Sequence, residues 1–280
     1  MLADSIPTCA YFSGFMAYSL SASKLQTYQR CPQAYYFRYE LGLKAANFFG
    51  AASLGAALHN ALARIYRDWH YQEPLPGLEW IQACWHRAAE ALTPEQVEEG
   101  REILENYYFQ FIAVEEALRR PVAVEGRVQG SLQVHSLEFN LLGRYDRLDA
   151  AEEGLELIDY KSGRTINPPT PNAIDLQMGL YYLALEQRYG KSLKQLSLIY
   201  LRHGEQIDFA ANELHKQHAI AAIQQLALQL RTDDEWVPDP GDHCQSCAYS
   251  QYCPAVSANP EPLPEEANRS QRSIQLALNL

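Results

Sequence analysis

Apolar positions recur along this chain with two different periods, and the change between them divides it. In residues 19–41, Leu25, Tyr28, Tyr35, Tyr36 and Tyr39 return at helical spacing. Ser21 or Ser23 is placed to cap the helix, and Pro32 either interrupts it or starts a second one. Residues 53–70 form a second amphipathic helix, with Leu54, Leu58, Leu62 and Ile65 on one side. Pro74 and Pro76 mark a loop, and two more helices follow near 78–92 and 94–120, the latter opening on Thr93-Pro94. Beyond Pro121 the period falls to two. Strands are expected at 122–129, 132–138, 140–149 and 155–161, with a turn at 152–154. A helix over 173–189 ends at Gly190; strands at 195–203 and 205–210 and a helix at 212–231 complete the pattern. A Pro- and Cys-rich loop runs from Trp236 to Pro254, and the tail 257–280 reads as mobile, with a short helix possible at 272–280. Helices, a meander of strands, then helix and strand predict an α/β class: a central mixed sheet flanked by helices, with an N-terminal helical region and a helical insertion at about 74–120.

Composition narrows the class. The 280 residues are 47% hydrophobic, enough for a real core. No apolar run approaches the roughly 18 residues that cross a bilayer. The first twenty residues lack Lys and Arg and carry Asp4, which makes a poor signal peptide. A cytoplasmic protein with no membrane partner is expected. The net charge of −11 counts against a coat protein for nucleic acid, which neutralises phosphates with Lys and Arg. It leaves room for an enzyme whose metal supplies local positive charge. No G-x-x-x-x-G-K-[ST] loop is present, so no ATP motor is expected in this chain.

The candidate chemistry lies in Gly143-Arg144-Tyr145-Asp146-Arg147 and, after a hairpin, Ile158-Asp159-Tyr160-Lys161-Ser162-Gly163. Side chains alternate along a strand, so Asp159 and Lys161 share a side, and the hairpin can bring Asp146 beside Asp159. Two close carboxylates repel, and a divalent cation relieves the repulsion. A nearby lysine can orient a water or stabilise charge on a phosphate. Taken alone, an Asp-x-Lys is most often an exposed salt bridge, and a lone His59 is most often a core or boundary histidine.

The order of the motifs carries more. Gly55-Ala56-Ala57-Leu58-His59, then Gly143 to Arg147, then Asp159 to Gly163, then Gln177-Met178-Gly179-Leu180-Tyr181 resemble the PD-(D/E)XK nuclease superfamily, in particular its RecB-like branch. The resemblance spans residues ~20 to 254. It implies a restriction-endonuclease-like core within a nuclease domain of residues 1–256. His59, Asp146, Asp159 and the Tyr160 carbonyl would be ligands for Mg²⁺ or Mn²⁺, and Lys161 the catalytic lysine. Gln177 and Tyr181 would lie beside the active site as catalytic residues and, together with Arg147, beside the nucleic acid. Arg147 has Asp149 as a competing partner, and Glu125 stands where such enzymes often carry another acid.

Cys244, Cys247 and Cys253 give three thiols in one short loop, a spacing suited to zinc or an iron–sulfur cluster. For the fourth ligand, chemistry leaves His243, Cys9, Cys31 and Cys84 open. The same family resemblance, to AddB-type and CRISPR-associated iron–sulfur nucleases, selects Cys31 and implies a structural 4Fe–4S cluster, with zinc as the alternative; Cys9 and Cys84 would be free. The function implied is a metal-dependent DNA nuclease, an exonuclease on single strands or ends, in repair, recombination or CRISPR adaptation beside a helicase partner. The competing reading is a non-catalytic DNA-binding or scaffold subunit of a helicase–nuclease complex.

Overall fold

The computed structural model describes residues 18–43, 53–166, 176–264 and 267. Cys9, the tail beyond 267 and its expected helix at 272–280 lie outside the described residues. Six strands form one mixed sheet: β1 (Tyr18–Leu20), β2 (Ala123–Val134), β3 (Leu137–Ala151), β4 (Gly154–Lys161), β5 (Leu193–Tyr200) and β6 (Glu205–Ala210). The path runs β1-β3-β4-β5-β6, and β2 also pairs with β3. β3 is the spine. β2 runs antiparallel along it, while β1 is parallel to residues 139–141 and β4 antiparallel to residues 147–151. β4 and β5 are parallel, which requires a crossover; helix α6 (Leu176–Tyr189) supplies it.

Local chemistry fixes the helix starts. The Ser21 side chain accepts the Lys24 N–H at the head of α1 (Ala22–Arg30). Pro32 opens α2 (Pro32–Tyr35), which continues through a wider turn over Tyr36–Glu40. The Ser53 side chain accepts from Ala56 N–H at α3 (Leu54–Arg67). α4 spans Leu78–Ala88. Thr93 and Gln96 close a reciprocal capping box on α5 (Pro94–Tyr107), and Asn212 caps α7 (Glu213–Thr232).

The helices cover the sheet in separate apolar clusters. Leu58, Leu62 and Ile65 of α3 pack with α4 and α5 against Ile158, Tyr160 and Ile199. Leu185 and Tyr182 of α6 pack against Leu148, Leu157 and Leu198. α1 and α7 close over Phe139 and Leu141. Alternate residues of β4 therefore enter different clusters, and Asp159, which follows Ile158, is held at the end of the strip that Leu155 and Leu157 begin.

Three expectations are corrected. The strands expected at 122–129 and 132–138 run together through Val134, because Gly130 marks a close approach instead of a break, and the hairpin turn falls at 135–136, inside the second expected strand. A Cβ on Gly130 would sit 3.1 Å from the Ala184 backbone of α6, and the Gln187 side chain bonds both Ser131 N–H and Ser131 carbonyl at 2.9 Å. The helix expected to reach residue 120 ends in a wider turn at Tyr108–Ile112; beyond it Leu118 N–H donates to the Pro74 carbonyl at 2.7 Å. Residues 19–20, expected in a helix, belong to β1. No helix among the described residues is long and apolar enough to cross a membrane.

Candidate active site

Two strand ends and one helix converge. A Cβ on Gly55 would meet the Ser162 hydroxyl at 2.7 Å, so the missing side chain lets α3 close onto the end of β4. One helical turn further, His59 reaches β3, and its Nδ1 lies 3.0 Å from Asp146 Oδ1. The other oxygen of Asp146 accepts the Tyr160 N–H at 2.7 Å, which ties β3 to β4 where the ladder stops. Arg147 pairs with Ile158, so Asp146 faces Asp159 one step beyond the last paired residues. Lys161 Nζ sits 2.7 Å from Asp159 Oδ2. A third acid joins from β2: ligand atoms of His59, Glu125 and Asp146 all lie within 4.8 Å of one another. Arg144 Nη2 is 3.1 Å from Glu125 Oε2.

The acids shift one another's titration and that of His59. Burial disfavours the His59 imidazolium, but its bond to Asp146 and the charges of Asp146, Asp159 and Glu125 outweigh burial, and the pKa is raised. Burial raises the Asp159 pKa; Lys161 pulls it down and Asp146 pushes it up. The donor set of one imidazole and several carboxylate oxygens suits Mg²⁺ or Mn²⁺.

Arg147 and Tyr181, expected beside the nucleic acid, both turn mostly inward. The Arg147 side chain is 12% exposed and points into the core on the far side of β3, with Nη2 3.1 Å from Asp149. Its Nη1 donates to the hydroxyls of Tyr160 at 3.1 Å and Tyr107 at 3.3 Å, and the guanidinium sits 4.1 Å from the centre of the Tyr66 ring. Tyr66 and Tyr107 share a 2.6 Å hydroxyl bond. Tyr181 is buried, with its hydroxyl donated to the Arg144 carbonyl. Gln177 lies in α6, but its side chain is outside the described residues. The sequence pattern did not reveal Tyr66 and Tyr107, because a tyrosine on an apolar helix face reads as core; the count of 18 tyrosines was the available signal.

The second candidate site is a cavity of about 710 Å³ whose walls include Cys31, Cys244, Cys247 and Cys253, with Arg30, Arg38 and His243. His243 Nε2 is buried there with no hydrogen-bond partner. Among the described residues no three of these thiols and His243 come within 4.8 Å of one another. Trp236 stacks on Tyr35, ring centres 5.7 Å apart, and on Tyr36 at 5.5 Å. The Tyr28 hydroxyl donates to Asp233 at 2.8 Å, and the Tyr249 hydroxyl to the Leu43 carbonyl at 3.3 Å. Cys84 is apart from this ring, buried among α3–α5, and burial pushes its thiol up to about 11.

The sequence matches the family model of the PD-(D/E)XK nuclease superfamily over residues 19–254. It is similar to an ATP-dependent helicase/deoxyribonuclease subunit from Carboxydothermus hydrogenoformans, 25% identical over 66% of this chain and 20% of that protein. The counterpart of the same name from Clostridium botulinum is 26% identical over 51% of this chain and 15% of the relative. The matched segments thus span a fifth or less of these relatives' length. A solved structure from Eubacterium rectale, provisionally named an exonuclease, overlays 94% of this chain and 97% of its own at 10% identity, with a TM-score of 0.47.

Proposed function

The chain belongs to the PD-(D/E)XK nuclease superfamily, and on that premise we propose that it is a Mg²⁺- or Mn²⁺-dependent deoxyribonuclease. The observation that carries the reading is the meeting of His59 with Asp146 at 3.0 Å beside the Asp159–Lys161 pair at 2.7 Å, on adjacent strand ends. His59, Asp146 and Asp159, with the Tyr160 carbonyl, would hold the ion. A divalent ion there supplies polarisation of a phosphate oxygen and a lowered pKa for water.

The chain's own groups do the positioning. Tyr160 N–H fixes one Asp146 oxygen and leaves the other turned to His59. Asp159 holds the Lys161 ammonium in place, and at 34% side-chain exposure Lys161 can reach a phosphodiester at the surface. There it would offset charge gathering on the phosphate and deliver or take a proton at the attacking water.

The substrate we assign is single-stranded DNA or DNA ends, in repair, recombination or CRISPR adaptation. A separate helicase partner is supported by the names of the curated relatives. We assign the cysteine cavity a 4Fe–4S cluster held by Cys31, Cys244, Cys247 and Cys253, a structural tie between the two ends of the domain; the four-cysteine lining supports this.

One preparation tests both readings. Protein purified without oxygen is assayed for iron and sulfide, then for DNA and RNA cleavage with Mn²⁺ or chelator, as wild type and Asp159→Ala. Expected are about four irons per chain and Mn²⁺-dependent DNA cleavage lost in the variant. Equal cleavage by both proteins, or by neither, returns the chain to the scaffold reading. Zinc in a colourless protein removes the cluster alone.

A further inference from the structure

β4 ends at Lys161, which pairs with Tyr200 at the end of β5. Strand ends fray, and a frayed end here would carry the lysine ammonium away from Asp159. The turn that follows β5 holds this end in two steps. Leu201 N–H donates to the Lys161 carbonyl at 3.0 Å, and Arg202 Nε donates to the Ser162 carbonyl at 2.9 Å. The second bond lies beyond the ladder, so a side chain takes over where main-chain pairing stops. The turn itself is closed by His203 N–H and Gly204 N–H, which both donate to the Tyr200 carbonyl, at 3.0 Å and 2.9 Å.

Arg202 is itself held from a third element. Its side chain is 18% exposed, and its Nη1 donates to the Glu99 carboxylate of α5. A planar guanidinium bonded through both Nε and Nη1 is fixed in direction as well as in place. Arg164 approaches the same Glu99 oxygen at 3.9 Å, but its side chain is 83% exposed, and so open an ion pair contributes little. The Glu99–Arg202 pair is different, because it ends on the main chain next to Lys161. It joins the α4–α5 insertion to the end of β4 across 103 residues of sequence.

Taking Lys161 as the catalytic lysine, as read above, we propose that Arg202 is a positioning residue for it and that Glu99 holds Arg202 to that task. Arg202 fixes the Ser162 carbonyl, the Ser162 carbonyl fixes the end of β4, and the Lys161 side chain leaves that end aimed at Asp159. The helical insertion thereby bears on the rate of cleavage without touching the substrate.

Two readouts on the full chain, purified without oxygen, test this. The first is Mn²⁺-dependent DNA cleavage. Arg202→Ala should lower kcat about 10²-fold, the scale of a small misplacement of a reacting group, with KM near wild type. The second needs no cleavage: acylation of Lys161 by an amine-directed reagent in chelator, read by peptide mass spectrometry against Lys194 of the same chain. Lys161 should react faster relative to Lys194 in Arg202→Ala, because its ammonium is no longer kept on Asp159. Glu99→Gln removes one charge from a half-exposed position and should move both readouts the same way by less. Adding Glu99→Ala to Arg202→Ala should slow cleavage no further, since Glu99 acts through Arg202. Unchanged Lys161 reactivity in Arg202→Ala, or losses that add in the double variant, overturn the proposal. A wild type that cleaves nothing, with Lys161 reactivity still raised in Arg202→Ala, fails the nuclease reading alone. A wild type matched in kcat by Arg202→Ala fails the positioning role alone.

Discussion

Asp146 and Arg147 are neighbours in sequence, as are Asp159 and Tyr160, yet each pair is split between opposite faces of the sheet. On one face Asp146 and Asp159 meet His59, Glu125 and Lys161 at an open strand end. On the other, Arg147 and Tyr160 are sealed with Asp149, Tyr66 and Tyr107 beneath α3 and α5. The open face gathers carboxylates around His59 and Lys161; the sealed face holds a guanidinium paired with Asp149 and bonded to two tyrosine hydroxyls. A short motif can thus carry two separate duties, because alternation sends successive residues into different surroundings. The Arg of Gly-x-x-Asp-Arg anchors the strand whose Asp meets His59.

The contrast predicts that variants on the two faces fail in different ways. The largest effect belongs to Lys161→Ala. Metal-dependent cleavage should drop by roughly 10²–10⁴ while the unfolding midpoint stays near wild type, since the lysine is partly exposed. Loss of stability without loss of cleavage would put Lys161 with the architecture. Next comes Arg147→Ala, which leaves Asp149 buried without its ion partner. Breaking such a pair costs about 3–5 kcal/mol, and denaturant unfolding should read it. A variant as stable as wild type but slow to cleave would move Arg147 to the open face.

The smallest effect is a pH dependence at His59. Burial works against its charge, but Asp146 and the other acids raise its pKa. Its contribution to stability is therefore complete below the unfolded value of about 6.5 and is lost as pH climbs through the raised folded value. In chelator, the stability margin of wild type over His59→Ala should narrow with rising pH across that window. A margin that widens would reverse the sign of the interaction.

Much of the open face was legible in the sequence, and the sealed face was not. Asp159 and Lys161 could be placed together from strand alternation alone, and β4 lies within a residue of its expected bounds. His59 could be placed on its helix, but its meeting with Asp146, 87 residues away, came from motif order. For Arg147 the family resemblance points to nucleic acid and the nearby Asp149 to an ion pair; only the packing of α3 and α5 shows the tyrosines that enclose it. Glu125 was noticed as an acid near the right place, yet its left-handed backbone follows from the lapse in β2–β3 pairing and has no local signature such as glycine or asparagine. Three-residue β1 was missed because so short a strand has no period to read.

The bonds that fasten α1 and α2 to the far end of the domain have a consequence for biosynthesis. Tyr28 finds Asp233 across 205 residues and Leu43 finds Tyr249 across 206. A ribosome will have displayed the N-terminal aromatic helices long before it releases the segment that covers them. Through most of translation Tyr35, Tyr36 and Phe37 therefore lie uncovered on the nascent chain, a natural target for chaperones, and a transcript cut short after α7 would yield a protein with that surface left open.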